Sequence, residues 1–320
     1  MKAKAFLTAA IVSAACLFSS CGDNLIPAEN NFSQMLSADS GKPVFVSVNL
    51  LEKDNEAAVV KLGTELTSYS DELVSALTSA KLSENPDSND LPGNDTILLQ
   101  IEILRNDSEV QKGMDNCFME FFKDGTLRVF GTEQFCGAEK SYALSSKDLD
   151  KIKKAAEQIV EKRTNCPPPM RITDPLSSYA YSGAMVAPAG ITWDCADSGG
   201  QGKSFVADAL HPLDAQASNV KVNLYSGSVM LGFPYGFEPD NIKITGWDIS
   251  QKGDTSPETL SNPKSEYENN ISSAGDFTEM FQLERSTVYQ VTVFYDSAKR
   301  GERGFSGSAD YYFETGEINQ

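Results

Sequence analysis

An α+β domain over residues 44–215, followed by an all-β sandwich over 216–317, is the architecture the sequence predicts. Three observations lead there. Apolar residues recur at both helical and strand spacing up to about residue 215, whereas from Asn219 onward only short strand-like runs between turn formers remain. The 320-residue length suits about two domains, and 40% hydrophobic residues supply apolar surface for two cores. Four cysteines, Cys117, Cys136, Cys166 and Cys195, fall inside the first domain, where pairing would staple it.

Taken in order, the chain opens with a leader. Lys2 and Lys4 precede an apolar stretch of 14 residues from Ala5 to Phe18. A membrane-spanning helix needs about 20, so the pattern is that of a signal peptide over 1–20. Ser19 and Ser20 then lead into Cys21. This resembles the bacterial lipobox, although Phe18 stands where Leu is usual and Ser20 where Gly or Ala is usual. The resemblance implies cleavage before Cys21 and its lipidation by palmitate-type chains, which makes the membrane the first expected partner. Cys16 lies within the apolar stretch and fits less well. Asp23 sits one place too late for the inner-membrane retention signal of such lipoproteins, so the resemblance implies the outer membrane, facing outward or to the periplasm. From Cys21 to Pro43 the chain is polar and rich in turn formers, and reads as a lipidated cysteine on a flexible tether.

Without Lys2 and Lys4 the mature body carries 25 basic against 45 acidic residues, a net charge near −20. Such a body repels nucleic acid, which is excluded as a partner.

Within the first domain, 44–50 alternates as a strand and 52–82 leans helical on Leu66, Leu73, Val74 and Leu77, with 57–62 as a possible strand instead. The run 96–105 reads as a buried strand. Asp124-Gly125 joins two apolar runs, 117–123 and 126–130, into a hairpin. Ser145 or Ser146 caps a helix whose face is Leu149, Ile152, Ala156 and Ile159, ended by Pro167-Pro168-Pro169. Residues 170–215 are irregular, with candidate strands near 179–187 and 203–207. The four cysteines allow three disulfide connectivities, and the short-loop pairing Cys117–Cys136 with Cys166–Cys195 is favoured because it closes at the lower entropic cost.

Strand signals in the second domain fall at 220–225, 228–233, 241–249, 278–283, 287–296 and 308–315. Residues 228–233 and 242–249, with the run from Leu283 through Thr287 and Tyr289 to Val293, resemble the strands and corner of a fibronectin type III domain. Phe233 replaces the family's usual Trp and Arg285 its Pro, and 250–277 is long and polar. The resemblance implies an immunoglobulin-like sandwich, with Tyr289 as a tyrosine-corner residue whose hydroxyl bonds upstream backbone, and no shared catalytic site.

Candidate chemistry is sparse. His211 is the single histidine, so any histidine-dependent triad must use it; a loop histidine at the domain boundary is the simpler role. Gly199-Gly200-Gln201-Gly202-Lys203-Ser204 lacks the first glycine of a phosphate loop, since Asp197 stands there. The loop carrying Asp87, Asn89, Asp90 and Asp95 lacks the spacing of a calcium hand. Asp95-Thr96-Ile97 and Asp296-Ser297-Ala298 resemble a short bacterial O-glycosylation motif. Tyr235 and Phe237, on the loop after the second sandwich strand, are the ligand-binding candidates, because exposed aromatic rings stack on sugars or protein side chains. Tyr179 and Tyr181 alternate as strand residues with one face in the core.

These readings converge on a non-enzymatic, membrane-anchored envelope module that binds glycan or protein, without catalytic residue, cofactor or metal. A structural accessory of an envelope assembly and a hydrolase seated in the α+β domain are the alternatives.

Overall fold

A computed structural model describes residues 26–27, 30–36, 43–52, 56–84, 93, 96–106, 114–132, 139–173, 183–196, 201–222, 228–270 and 278–316. The protein is mostly β, in antiparallel sheets.

The first eight strands are β1 (Ile26–Pro27), β2 (Val44–Leu50), β3 (Glu56–Lys61), β4 (Ser83–Glu84), β5 (Ile97–Asn106), β6 (Met114–Phe122), β7 (Thr126–Gly131) and β8 (Lys140–Ala143). They form one sheet in the order β1-β4-β8-β7-β6-β5-β2-β3. Strand alternation sends Val44, Val46 and Val48 of β2, Leu99, Ile101 and Ile103 of β5, and Cys117, Met119 and Phe121 of β6 to one face. Helices α1 (Phe32–Leu36), α2 (Asp71–Ser79) and α3 (Ser146–Glu161) contribute to the core on that face. Ser145 caps α3: its Oγ accepts from the Asp148 amide at 3.1 Å and donates to the Asp148 carboxylate at 2.9 Å. At the Asp124-Gly125 turn, Gly125 adopts φ 90°, and a Cβ there would meet the Leu144 carbonyl oxygen at 2.9 Å, so glycine is required.

Two expectations change in this half. The helix over 52–82 is confined to a 3-10 segment at Glu65–Ser70 and to α2, and the alternative strand near 57–62 is realised as β3. The described part of the expected tether over 21–43 is docked: Ile26–Pro27 pair with β4, and 30–36 pack on the core. Phe32, Met35 and Leu36 at helical spacing bury in the core, and the Asn30 amide donates to the Leu77 and Ala80 carbonyls at 2.9 and 2.8 Å, closing the end of α2. The polar residues around them hid this short apolar face. Cys21 and the leader lie outside the described residues.

The remaining strands are β9 (Met170–Thr173), β10 (Ala184–Val186), β11 (Gly190–Ala196), β12 (Gly202–Ala207), β13 (Val220–Val222), β14 (Ser228–Gly232), β15 (Asn241–Asp248), β16 (Ser265–Asn270), β17 (Thr278–Gln282), β18 (Thr287–Tyr295) and β19 (Phe305–Thr315). They form a β-sandwich: one sheet is β10-β9-β14-β17 and the other β12-β11-β19-β18-β15-β16, with β13 parallel to β19. Inward residues Ile242 and Ile244 of β15, Val291 and Val293 of β18, and Tyr311 and Phe313 of β19 share one core with Val229 and Leu231 of β14. An aromatic column runs through it. Trp193 stacks on Phe305 at 4.9 Å, Phe305 on Phe237 at 4.7 Å, and Tyr295 meets Trp193 and Phe305 edge-on at 5.3 Å.

The expected boundary at 215/216 therefore cuts through bonded sheets. Strand β9 pairs β14, and β11 pairs β19 from Gly190↔Asp310 to Cys195↔Phe305. In the stretch 170–207 the candidate strands near 179–187 and 203–207 are realised as β10 and β12, which pair locally with β9 and β11, while β9 and β11 pair onward with β14 and β19 far along the chain. Residues 170–207 close one lateral side of the sandwich: the chain leaves one sheet at Val186 and enters the other at Gly190. Tyr179 and Tyr181 lie outside the described residues.

The sandwich docks on the outer face of the N-terminal sheet. Phe45, Leu104 and Met185 form a separate apolar cluster there, and the Asn106 side chain grips β10 by donating to the Met185 carbonyl at 2.6 Å and accepting from its amide at 2.8 Å.

Candidate functional site

The two aromatic candidates part company. Tyr235 is 77% exposed, but Phe237 is 2% exposed and buried in the aromatic column. Residues 234–237 form a turn, closed by the Phe237 amide on the Pro234 carbonyl at 3.0 Å, and Gly236 has φ 86°. The reversal sends neighbouring rings in opposite directions, so Phe237 is corrected to a core residue and no joint ligand surface forms.

His211 is held by its neighbours at the edge of the sandwich. Its ring meets Trp247 edge-on at 4.6 Å, its Nδ1 accepts from the Leu213 amide at 3.2 Å, and burial lowers its pKa. The glycine-rich segment does not open a helix, because Gly202, Lys203 and Ser204 are strand residues of β12; Gly199 and Gly200 lie outside the described residues. So do Asp87, Asn89, Asp90 and Asp95. In the second short glycosylation-like motif, the Asp296 carboxylate accepts from the Ala298 amide at 2.8 Å and caps a single 3-10 turn. No group of three or more His, Cys, Asp or Glu among the described residues is arranged to hold a metal ion.

The disulfide expectation is corrected as far as the described residues reach. Cys117, Cys166 and Cys195 are buried and no disulfide joins any two of them, so the Cys166–Cys195 pairing is not formed; Cys136 lies outside the described residues, and with it the Cys117–Cys136 pairing. Cys195 is committed to the sandwich core, whereas the Cys166 sulfur lies 3.9 Å from the Tyr69 hydroxyl, at the junction with α2. Burial pushes the Cys166 thiol up to about 11, which holds it protonated and unreactive.

Tyr289 sits where upstream backbone meets its ring: the Glu284 amide donates to its hydroxyl at 2.8 Å. Gly246, directly across on β15, makes room for it, since a Cβ there would lie 2.7 Å from Tyr289 Cε1. This corner is the end wall of a groove.

That groove runs between β16 and β17, the terminal strands of the two sheets. Its volume is about 350 Å³. Ile244, Phe281 and Leu283 give it an apolar floor, and Ser265, Glu266, Gln282 and Glu284 a polar rim. Tyr267, 43% exposed, stands edge-on to Phe281 at 5.0 Å. Both rim carboxylates are neutralised. Glu284 pairs with Lys264 at 2.7 Å and Glu266 with Lys243 at 3.5 Å, and the Glu284 partner raises the pKa of Lys264. Sequence reasoning missed this site because 250–277 reads as polar loop; Tyr267 between Glu266 and Glu268 is the lone signal. A larger space of about 480 Å³ between α2 and α3 is a shallower furrow lined by surface charges such as Asp71, Glu72, Lys151 and Lys154.

The groove offers a binding surface of amphipathic character: an apolar floor, one ring at the rim, and hydrogen-bonding groups around it. No helix among the described residues is long and apolar enough to cross a membrane. No protein-family model, curated protein or solved structure matches this chain.

Proposed function

We propose that the protein is a non-enzymatic lipoprotein, anchored through Cys21 to the bacterial outer membrane, whose C-terminal sandwich binds a glycan or protein of the envelope. The groove between β16 and β17 carries this reading, because it sets the exposed Tyr267 ring beside an apolar floor ringed by polar groups. The fibronectin type III likeness belongs to the same proposal. It is supported by the bond from the Glu284 amide to Tyr289, by β13 lying parallel to β19, and by Phe233 packing edge-on to Tyr311 at 5.9 Å where the family places Trp.

Anchoring and topology are tested together. Wild type and Cys21→Ala are expressed in a Gram-negative host fed labelled palmitate, and intact cells are treated with protease. The expected result is label and membrane sedimentation in the wild type only. Equal partitioning of both proteins, with no label, refutes the anchor. Cleavage of the wild-type body on whole cells assigns it to the outside; protection until the outer membrane is broken assigns it to the periplasm.

A further inference from the structure

We infer that the groove between β16 and β17 is a saccharide subsite that takes a neutral pyranose unit; this rests on the binding-module reading above and specifies its ligand. A volume of about 350 Å³ lies at the small end of the range of ligand sites, about 300–1,000 Å³. The occupant must be amphipathic, since it meets Ile244, Phe281 and Leu283 beneath and Ser265, Gln282 and two carboxylates around the rim.

Charge narrows the class. An anionic ligand would face Glu266 and Glu284, and Lys264 is already held by Glu284 at 2.7 Å. A cationic ligand would need free carboxylates, but Lys243 neutralises Glu266 and Lys264 neutralises Glu284. An ion-paired carboxylate still has lone pairs that accept hydroxyl donors. A neutral polyol therefore loses nothing to repulsion and gains acceptors around its edge. Its C–H face covers the apolar floor beside Tyr267, whose ring stands crosswise to Phe281.

An added peptide strand is the poorer fit. Strand β16 carries Glu266 and Glu268 along a short, charged edge, which disfavours pairing with a further strand.

The test uses the full mature chain carrying carbon-13 labels in Tyr and Phe rings. Glucose, galactose, mannose and N-acetylglucosamine are titrated to high millimolar concentration, with galacturonate and lysine as charged controls. At least one neutral sugar is expected to shift the Tyr267 and Phe281 ring signals. Tyr267→Ala should weaken that sugar about tenfold or more, by the scale of aromatic anchors, without changing the unfolding midpoint. Gln282→Ala, on the rim, is the second variant and should weaken it with the fold intact. The assignment is overturned if no neutral sugar moves these signals, if a charged control binds more tightly, or if both variants keep wild-type affinity. Should a protein partner be crosslinked in cells and retained by Tyr267→Ala, the saccharide subsite falls while the binding-module reading stands.

Discussion

Removing the Phe237 ring distinguishes a core residue from a ligand contact. The ring ends the aromatic column, stacked on Phe305, which stacks in turn on Trp193. In Phe237→Ala the backbone carbonyl that accepts from the Tyr295 hydroxyl at 3.1 Å remains, so the loss is confined to the ring. A buried Phe→Ala change costs about 3–5 kcal/mol through lost transfer energy and the cavity left behind. At about 2–4 °C per kcal/mol, the melting point should fall by roughly 6–20 °C. Tyr235→Ala, two residues away and exposed, should stay within about 0.5 kcal/mol of wild type. Urea unfolding followed by tryptophan fluorescence is a suitable assay. The sequence has 2 Trp, and both, Trp193 and Trp247, lie in the sandwich, so the signal reports this half. A Phe237→Ala midpoint within experimental error of wild type would refute the core assignment, the more so if ligand capture were lost.

Three further outcomes follow from the geometry. Phe32→Ala should destabilise the N-terminal half by about 3 kcal/mol or more, because α1 is docked in its core; an unchanged urea midpoint would restore the tether. Burial raises the Glu102 pKa, outweighing the Asn116 amide that donates to it at 3.2 Å and the nearby Arg171. A carboxyl raised on folding stabilises most below its ordinary pKa, and that contribution is lost as pH rises through the folded value. Glu102→Gln, which retains the acceptor without the charge, should therefore gain stability relative to wild type as pH rises above that window. A wild type more stable than Glu102→Gln at pH 8 contradicts this sign. Cys166, with its pKa pushed up to about 11, should resist iodoacetamide in the native protein and react fully in guanidinium; rapid native labelling, or a Cys166–Cys195 bridge in non-reducing peptide maps, goes against a buried, protonated Cys166 thiol.

Elements with local signatures were legible. The alternation in 44–50, the Asp124-Gly125 turn and the Ser145 cap each act within a few residues, and each is where the pattern puts it. What stayed hidden depends on distant partners. Ile191, Trp193 and Cys195 alternate with Thr192 and Asp194 in β11 as a strand should, but the sequence does not show that this strand belongs beside β19 in the sandwich. Strand β16, Ser-Glu-Tyr-Glu-Asn-Asn, has weak strand propensity and owes its form to pairing with β15. The groove was invisible for the same reason, since one of its two walls is β16. Phe237 was misjudged because composition marks a loop but not the direction a turn gives each ring.

The distant pairing of β11 also sets an order of events during folding. The β11–β12 hairpin is local and closes at small entropic cost, yet Trp193 on β11 finds its stacking partner Phe305 only when β19 arrives, about a hundred residues later in the chain. High contact order of this kind slows folding, and until β19 is inserted the open edge of β11 and its rings remain available to other chains. A truncation at residue 215 strands that hairpin without its partner, and one that starts at 216 leaves Phe305 and Phe237 with one side of their column missing. The strands from β9 to β19 are bonded into one sandwich with one core, so they should unfold together.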